Sequence, residues 1–146
     1  MKHRIRKVFL FAALLTLTNS CRQTAENTLR SAVRDYNTQC PVRLSELTRI
    51  DSLNYDKSAN DVSFHCTFVG ITSCSPNDTI LLEAMRIHAT DESGMSLNAM
   101  QSNNNGQETL MLLKRLGASL TFVYHTADGT EIFRKSHSKA DWQKAM

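Results

Sequence analysis

The stretch Val62-Ser-Phe-His-Cys-Thr-Phe68 decides the fold class, because apolar and polar residues alternate along it with the period of a β-strand. Its apolar side chains would face a core, and the side chains between them would face the other way. The segment 49–55 alternates less regularly, and the polar residues 56–61 between the two segments have the composition of a turn. We therefore predict a β-hairpin over residues 49–68.

A helix is predicted before this hairpin. Apolar residues recur there at helical spacing, namely Leu29, Ala32, Val33 and Tyr36. Thr24 is the expected N-cap. The helix must end by residue 40, because Pro41 disfavours helical geometry in the residue before it.

Two more helices are predicted after the hairpin. Ser75-Pro-Asn-Asp78 is a helix-start signal, and an apolar face follows it over residues 80–88. The other helix covers residues 108–116 and ends at Gly117, the usual place for a C-terminal glycine. The pattern weakens between the two helices, where the polar residues 102–106 predict a loop.

A second hairpin is predicted near the C-terminus. Residues 120–124 alternate, Ala127-Asp-Gly129 forms a turn, and residues 131–135 return as the partner strand. Ser138-Lys-Ala-Asp141 is then typical of the start of a short helix, which would carry Trp142.

The predicted order of elements is therefore helix, hairpin, two helices, hairpin and a short helix. Paired strands separated by helices indicate an α+β domain, with a mainly antiparallel sheet of about four strands and with the helices packed on one face. The composition, with 41% apolar and 21% charged residues and only 5 Gly and 2 Pro, excludes collagenous and disordered chains.

Residues 1–20 have the composition of an export signal. Four basic residues lie within the first seven positions, and the apolar run Val8–Leu17 follows them. Such a run spans about 15 Å as a helix, half of a hydrocarbon core of about 30 Å, so it does not predict a permanent membrane span. We expect residues 1–20 to be removed, which leaves a single α+β domain with a short N-terminal tether at residues 21–146.

The signal ends in Leu17-Thr-Asn-Ser-Cys21, which resembles the lipobox of bacterial lipoprotein precursors, in the looser form of bacteroidete-type lipoproteins. Ser20 matches the small residue before the cysteine, whereas Thr18 and Asn19 depart from the usual pattern. The resemblance implies that Cys21 is lipidated and that its acyl chains hold the protein on a membrane. An ordinary secretory signal cleaved after Ser20 is the alternative.

The remainder of the chain resembles small, uncharacterised exported proteins of bacteroidete-type bacteria. The resemblance rests on Asn37-Thr-Gln-Cys-Pro41, which closes the first helix, and on Ser119-Leu-Thr-Phe-Val-Tyr124, which a turn and a strand follow. It implies a place in the cell envelope. Because no acidic run follows Cys21, we expect the anchor to lie on a membrane facing the periplasm, with the outer membrane favoured and the cell surface left open. The resemblance supplies no activity.

The sequence contains no motif with a known mechanism. Nothing in it matches a phosphate loop, a nucleophile elbow, a metalloprotease helix or a Cys-x-x-Cys pair. His65 and Cys66 would point to opposite faces of a strand. His88 and His125 could bind a metal only if the fold brought them together. We therefore expect no metal and no cofactor.

Two classes of function stay open. Thirteen of the 17 basic residues and all 14 acidic residues lie from residue 21 onward, so this part has a net charge of −1 and offers no basis for nucleic-acid binding. The absence of catalytic motifs favours a non-catalytic module that contacts an envelope protein or a glycan. The alternative is a hydrolase or other enzyme without a recognisable motif, which a deep pocket with convergent polar groups would favour.

Two short segments resemble the three-residue O-glycosylation signal of exported bacteroidete-type proteins. They are Asp51-Ser-Leu53 and Asp78-Thr-Ile80, which make Ser52 and Thr79 candidate acceptors. Three-residue matches also arise by chance, and both residues would then be unmodified.

Three cysteines remain after lipidation, an odd number for an oxidising compartment. A chain reversal near Gly70 would place Cys66 and Cys74 opposite one another, at a distance that a disulfide can span. The alternatives are three free thiols or a pairing through Cys40.

Overall fold

The computed structural model describes residues 21–138 and 140–141. The expected export signal at residues 1–20 and the expected helix around Trp142 therefore lie outside the described residues. The elements, in chain order, are α1 (residues 21–37), β1 (Val42–Arg43), β2 (Thr48–Asp56), β3 (Asp61–Phe68), α2 (Thr79–Ser102), α3 (Asn104–Leu116), β4 (Ser119–His125) and β5 (Glu131–His137).

Five strands form one mixed sheet in the order β1-β2-β3-β4-β5. Both predicted hairpins are confirmed, since β2 pairs antiparallel with β3 and β4 pairs antiparallel with β5. The prediction of about four mainly antiparallel strands is corrected in two respects. The short strand β1 adds an edge to β2, and β3 and β4 are parallel, with Asp61 beside Ser119 and Thr67 beside His125.

The parallel pairing follows from the connection between β3 and β4. A parallel pair needs a crossover of a dozen or more residues, whereas a hairpin needs only a few. Here α2 and α3 form that crossover and return the chain to the end of the sheet at which β3 began.

The helical region is longer than the sequence predicts, because α2 continues for 24 residues to Ser102. The predicted loop at residues 102–106 shrinks to Asn103, whose side chain accepts a hydrogen bond from the Gly106 amide at 2.6 Å. The reason lies in the buried face of α2, where Glu92 and Ser93 occupy positions between buried apolar residues. Two polar residues on the core side remove the apolar periodicity that a sequence pattern needs.

The predicted helix ends are mostly confirmed. The Asp78 carboxylate accepts a hydrogen bond from the Leu81 amide at 3.1 Å, and Gly117 ends α3 with a φ of 64°. Thr24 is not an N-cap, because the described helix α1 already includes residue 21. Near the C-terminus, the Ser138 amide and hydroxyl both donate to the Asp141 carboxylate, at 2.7 and 3.1 Å, as expected for a helix start.

The three helices pack on one face of the sheet, as predicted. One buried cluster joins Leu29 of α1, Ala89 of α2 and Leu113 of α3 to the sheet. At its centre the rings of Phe64 and Phe122 stack at 5.1 Å. None of the helices within the described residues is long and apolar enough to cross a membrane.

Candidate functional site

The helix-covered face of the sheet is not fully covered. A cavity of about 710 Å³ lies between α1 on one side and α2 with the start of α3 on the other, and we call it the α1–α2 groove. Its floor consists of apolar side chains of the sheet, which are Ile50, Leu53, Val62, Phe64, Leu120 and Phe122.

The two walls of the groove are helix faces. The wall from α1 contains the residues whose helical spacing was recognised in the sequence, together with one glutamine: Leu29, Ala32, Val33, Tyr36 and Gln39. The wall from α2 contains Glu92, Met95, Ser96, Ala99, Met100 and Asn103. Met95 is 63% exposed, a large value for a methionine, and it lies on this wall. Apolar surface is therefore open to solvent along the groove.

A polar network closes one end of the α2 wall. The Thr48 hydroxyl lies 2.6 and 2.7 Å from the two oxygens of the Glu92 carboxylate, and the Ser45 hydroxyl lies 2.9 Å from that of Thr48. The His88 Nε2 atom lies 3.3 Å from a Glu92 oxygen. The network ties the β1–β2 connection to α2, and both Ser45 and Glu92 line the groove.

Two titratable groups of the core lie near this network. Burial, together with the nearby Glu92 and Asp51 carboxylates, raises the pKa of the Cys66 thiol to about 12. Burial also raises the pKa of Tyr124, and the adjacent Cys66 and Glu92 add to the effect. Cys66 is thus a protonated core thiol at neutral pH, without the thiolate character that a nucleophile requires.

The opposite face of the sheet carries several polar side chains. There the rings of His65 and His125 stack at 5.6 Å, with Nδ1 of His65 lying 3.3 Å from Nε2 of His125. Burial lowers the pKa of His65, and the neighbouring His125 and Arg134 lower it further. On the same face Thr67 donates a hydrogen bond to the carboxylate of Asp51.

The histidines considered for a metal pair lie apart. His88 is on α2 beside Glu92, whereas His125 pairs with His65 on the other face of the sheet. Within residues 21–138 and 140–141, no group of three or more His, Cys, Asp or Glu side chains is placed to hold a metal ion.

The candidate modification sites do not converge. Cys21 is exposed at the first described residue of α1. Thr79 is exposed at the start of α2, as an acceptor hydroxyl requires, whereas Ser52 is half-buried within β2, opposite His65. Glycosylation at either residue stays a prediction.

The structure does not place Cys74 opposite Cys66 as the hairpin argument expects, and a disulfide between the two stays a prediction. Cys66 lies between Ile50 of β2 and Tyr124 of β4, so both of its neighbouring positions in the sheet are occupied. Cys74 belongs to the irregular segment before α2, and both thiols are free in the structure.

Sequence reasoning missed the groove and the role of Glu92. The helical spacing of α1 predicts an apolar helix face, but it does not show that Ala32 is exposed and that Val33 is only half-buried. One sequence signal points to Glu92. If the helix continues through Gly94, the Glu92 carboxylate lies on the same helix face as the apolar positions 85, 89 and 97.

These features define a small α+β domain whose helix-covered sheet face is open along one apolar groove. The chain belongs to the family described as "Domain of unknown function (DUF8479)", whose sequence profile matches residues 23–133. No curated protein sequence matches the chain.

The fold is similar to those of three solved structures. A candidate secreted protein from Pseudomonas aeruginosa has a TM-score of 0.56 and 13% identity, over 81% of this chain and 92% of that one. The pilotin EpsS of the Vibrio vulnificus type 2 secretion system has a TM-score of 0.54 and 11% identity, over 84% of this chain and 96% of that one. The type II secretion system pilotin AspS from Vibrio cholerae has a TM-score of 0.50 and 12% identity, over 82% of this chain and 94% of that one.

Proposed function

We propose that this chain is a lipid-anchored protein of the bacterial envelope, and that its α1–α2 groove holds one amphipathic helix of a partner protein. The module is non-catalytic, and its action is to bind and position that partner.

The dimensions of the groove carry the proposal. The α1 wall extends from Leu29 to Gln39, and the α2 wall from Glu92 to Asn103. Ten residues of helix rise about 15 Å. Each of the two walls therefore has the length of about three turns of a bound helix.

The chemistry of the groove favours the same occupant. The floor is formed by apolar side chains of the sheet, and the rim carries uncharged polar residues, including Gln39, Ser96, Asn103 and Thr109. An apolar floor with a polar rim fits a helix that is apolar on one side and polar on the other. A glycan would require many hydrogen-bonding groups on the floor, so we favour a protein partner.

The similar folds support an envelope role. Two of the similar structures are pilotins of type II secretion systems, and the third is a candidate secreted protein. This likeness supports an exported protein of the envelope, in agreement with the export signal that the sequence predicts at residues 1–20.

The position of Cys21 supports the proposed anchor. This residue is exposed, and Ala25, one turn further along α1, is already buried in the core. A lipid on Cys21 would hold the domain close to the membrane, because only a few residues separate the thioether from the folded core. Two or three acyl chains, at about 0.8 kcal/mol per buried CH₂, suffice for stable anchoring.

A charge placed in the groove tests the proposal. Ala99 is exposed on the α2 wall, so Ala99→Glu leaves the fold intact but places a carboxylate against the apolar side of the bound helix. Ala84→Glu is the matched control, because Ala84 is exposed on the same helix outside the groove.

The readout is the size of the native complex after mild detergent extraction of the envelope. We expect the wild-type protein and Ala84→Glu to elute as part of a larger complex and Ala99→Glu to elute alone, with unchanged circular dichroism. Retention of Ala99→Glu in a complex of wild-type size would contradict the proposal.

A further inference from the structure

We propose that Glu92 selects the helix that enters the groove, by pairing with a Lys or Arg side chain that the helix presents near one of its ends. This inference rests on the proposed function and specifies the chemistry of the partner.

Glu92 is an unusual residue for the wall of an apolar groove. It is only 4% exposed, and among the described residues that line the groove it is the one that carries a charged side chain. Carboxylates are seldom buried to this extent without a paired cation, because the loss of hydration is costly.

The carboxylate is incompletely paired within the described residues. Thr48 has a single hydroxyl hydrogen, so it satisfies one of the two oxygens that it approaches. The His88 Nε2 atom lies 3.3 Å from Glu92 but completes no hydrogen bond. No Lys or Arg in the described part of the chain forms an ion pair with Glu92, although a carboxylate can accept about four hydrogen bonds.

A second observation points to the same place. The Tyr124 hydroxyl is fully buried and makes no well-aligned hydrogen bond within the described residues, and the polar group that it approaches is the Glu92 carboxylate. The charge of this carboxylate acts on the phenol. The His88 Nε2 atom and the Tyr124 hydroxyl thus both lie near Glu92 without a well-aligned hydrogen bond, and burying such polar groups is costly.

An incoming cation would relieve this cost. A Lys or Arg on the bound helix would give Glu92 the charge-assisted hydrogen bonds that it lacks, in a site from which the helix excludes water. The opposite end of the α2 wall is neutral, with Asn103 and Asn105, and lies about 16 Å away along the helix. A single charge at one end of the groove therefore selects which helix binds and also fixes the direction in which that helix lies.

Synthetic peptides test the inference without knowledge of the native partner. Each peptide is a 14-residue amphipathic helix with the same leucine face and one variable site, which carries Lys, Gln or Glu. The variable site lies in the first turn in one set of peptides and in the last turn in a second set. Binding to the purified protein is measured by fluorescence anisotropy, with a composition-matched scrambled peptide as control.

We expect the Lys peptide of one set to bind at least about tenfold more tightly than its Gln counterpart, and the Glu peptide to bind more weakly still. The Glu92→Gln side chain keeps the shape of Glu92 and can still accept a hydrogen bond from Thr48, but it carries no charge. In this variant the preference for the Lys peptide should disappear. Glu83→Gln, at an exposed carboxylate on the same helix, should retain it.

The outcomes separate this inference from the proposed function. Equal binding of the Lys, Gln and Glu peptides to the wild-type protein in both sets would overturn the role of Glu92 and leave the groove as a helix site. A Lys preference that survives in Glu92→Gln would overturn it as well. Binding no tighter than that of the scrambled peptide would overturn both proposals.

Discussion

The reactivity of the Cys66 thiol is determined by its position in the core. Cys66 is fully buried, faces the helices, and has a pKa raised to about 12, chiefly by burial. We predict that iodoacetamide at pH 8 labels Cys40 and Cys74, which are half-buried, while Cys66 reacts only after unfolding. Mass spectrometry of the labelled peptides, with and without urea, gives the answer.

Non-reducing peptide mapping of the same protein tests the disulfide prediction. The mapping should find three separate thiols, because the strand positions on both sides of Cys66 are filled by Ile50 and Tyr124. A linked pair of peptides containing Cys66 and Cys74 would show that the segment before α2 adopts another arrangement.

Glu26 links the first helix to the sheet by electrostatics. Its carboxylate accepts from Lys57 in the β2–β3 turn at 2.8 Å and from Arg22 at 3.3 Å. The hydrogen bond from Lys57, aided by Arg22, lowers the pKa of Glu26. A carboxyl whose pKa is lower in the folded than in the unfolded protein stabilises the fold above its unfolded pKa, and this stabilisation is lost as the pH falls through the folded pKa.

The pH dependence of unfolding tests this pairing. We predict that Glu26→Gln is less stable than the wild type at pH 7 and that the difference shrinks between about pH 5 and pH 3. Urea denaturation across that range measures it, with Glu83→Gln as the control at an exposed carboxylate. A difference that stays constant down to pH 3 would show that the ion pair contributes nothing.

At the scale of elements, the junction between α2 and α3 depends on one glycine. A Cβ on Gly106 would lie 2.2 Å from the backbone oxygen of Met100 and 2.5 Å from its Cα, so the two helices would have to separate. We predict that Gly106→Ala lowers the free energy of unfolding by about 1 to 3 kcal/mol. Gly106 also lines the groove, so peptide binding should weaken in parallel.

Gly94 is the matched control for this substitution. It lies within α2, and a Cβ there would meet nothing within 4 Å. Gly94→Ala should stabilise the protein by up to about 1 kcal/mol, because alanine is the better helix former. Equal effects of the two substitutions in urea denaturation would contradict the close approach at Gly106.

The elements differ in how well their sequences predict them. Residues 61–68 alternate cleanly, and the strand and its hairpin follow from that pattern alone. Alternation indicates a strand but not the direction of its neighbour, so the parallel pairing of β3 with β4 could not be predicted. The two-residue strand β1 is too short to carry any pattern.

The candidate site was harder to predict than the fold. The periodicity of Leu29, Ala32, Val33 and Tyr36 predicts α1 correctly, but does not show that part of this face lines a groove. Glu92 carries no local signal, because its role depends on Thr48, which is 44 residues away in the sequence.

At the scale of the whole molecule, the predicted export signal and lipid anchor would place the groove at a membrane. We predict that the mature protein partitions into the detergent phase and that Cys21→Ala either leaves the leader uncleaved or releases a soluble protein. Phase partitioning and mass spectrometry of the N-terminal peptide measure this. An intact free thiol on Cys21 of the mature wild-type protein would contradict lipidation.

The most direct test of the central claim is photo-crosslinking from both walls of the groove in the native envelope. A photoreactive phenylalanine is placed at Ala32 on α1 or at Ala99 on α2, both exposed and both lining the groove, with Ala84 as the control position. We predict that both walls capture one segment of one protein, that this segment has apolar residues at helical spacing, and that Ala84 captures none of it. Adducts with lipid or glycan, or different proteins from the two walls, would contradict the claim that the groove holds a single amphipathic helix.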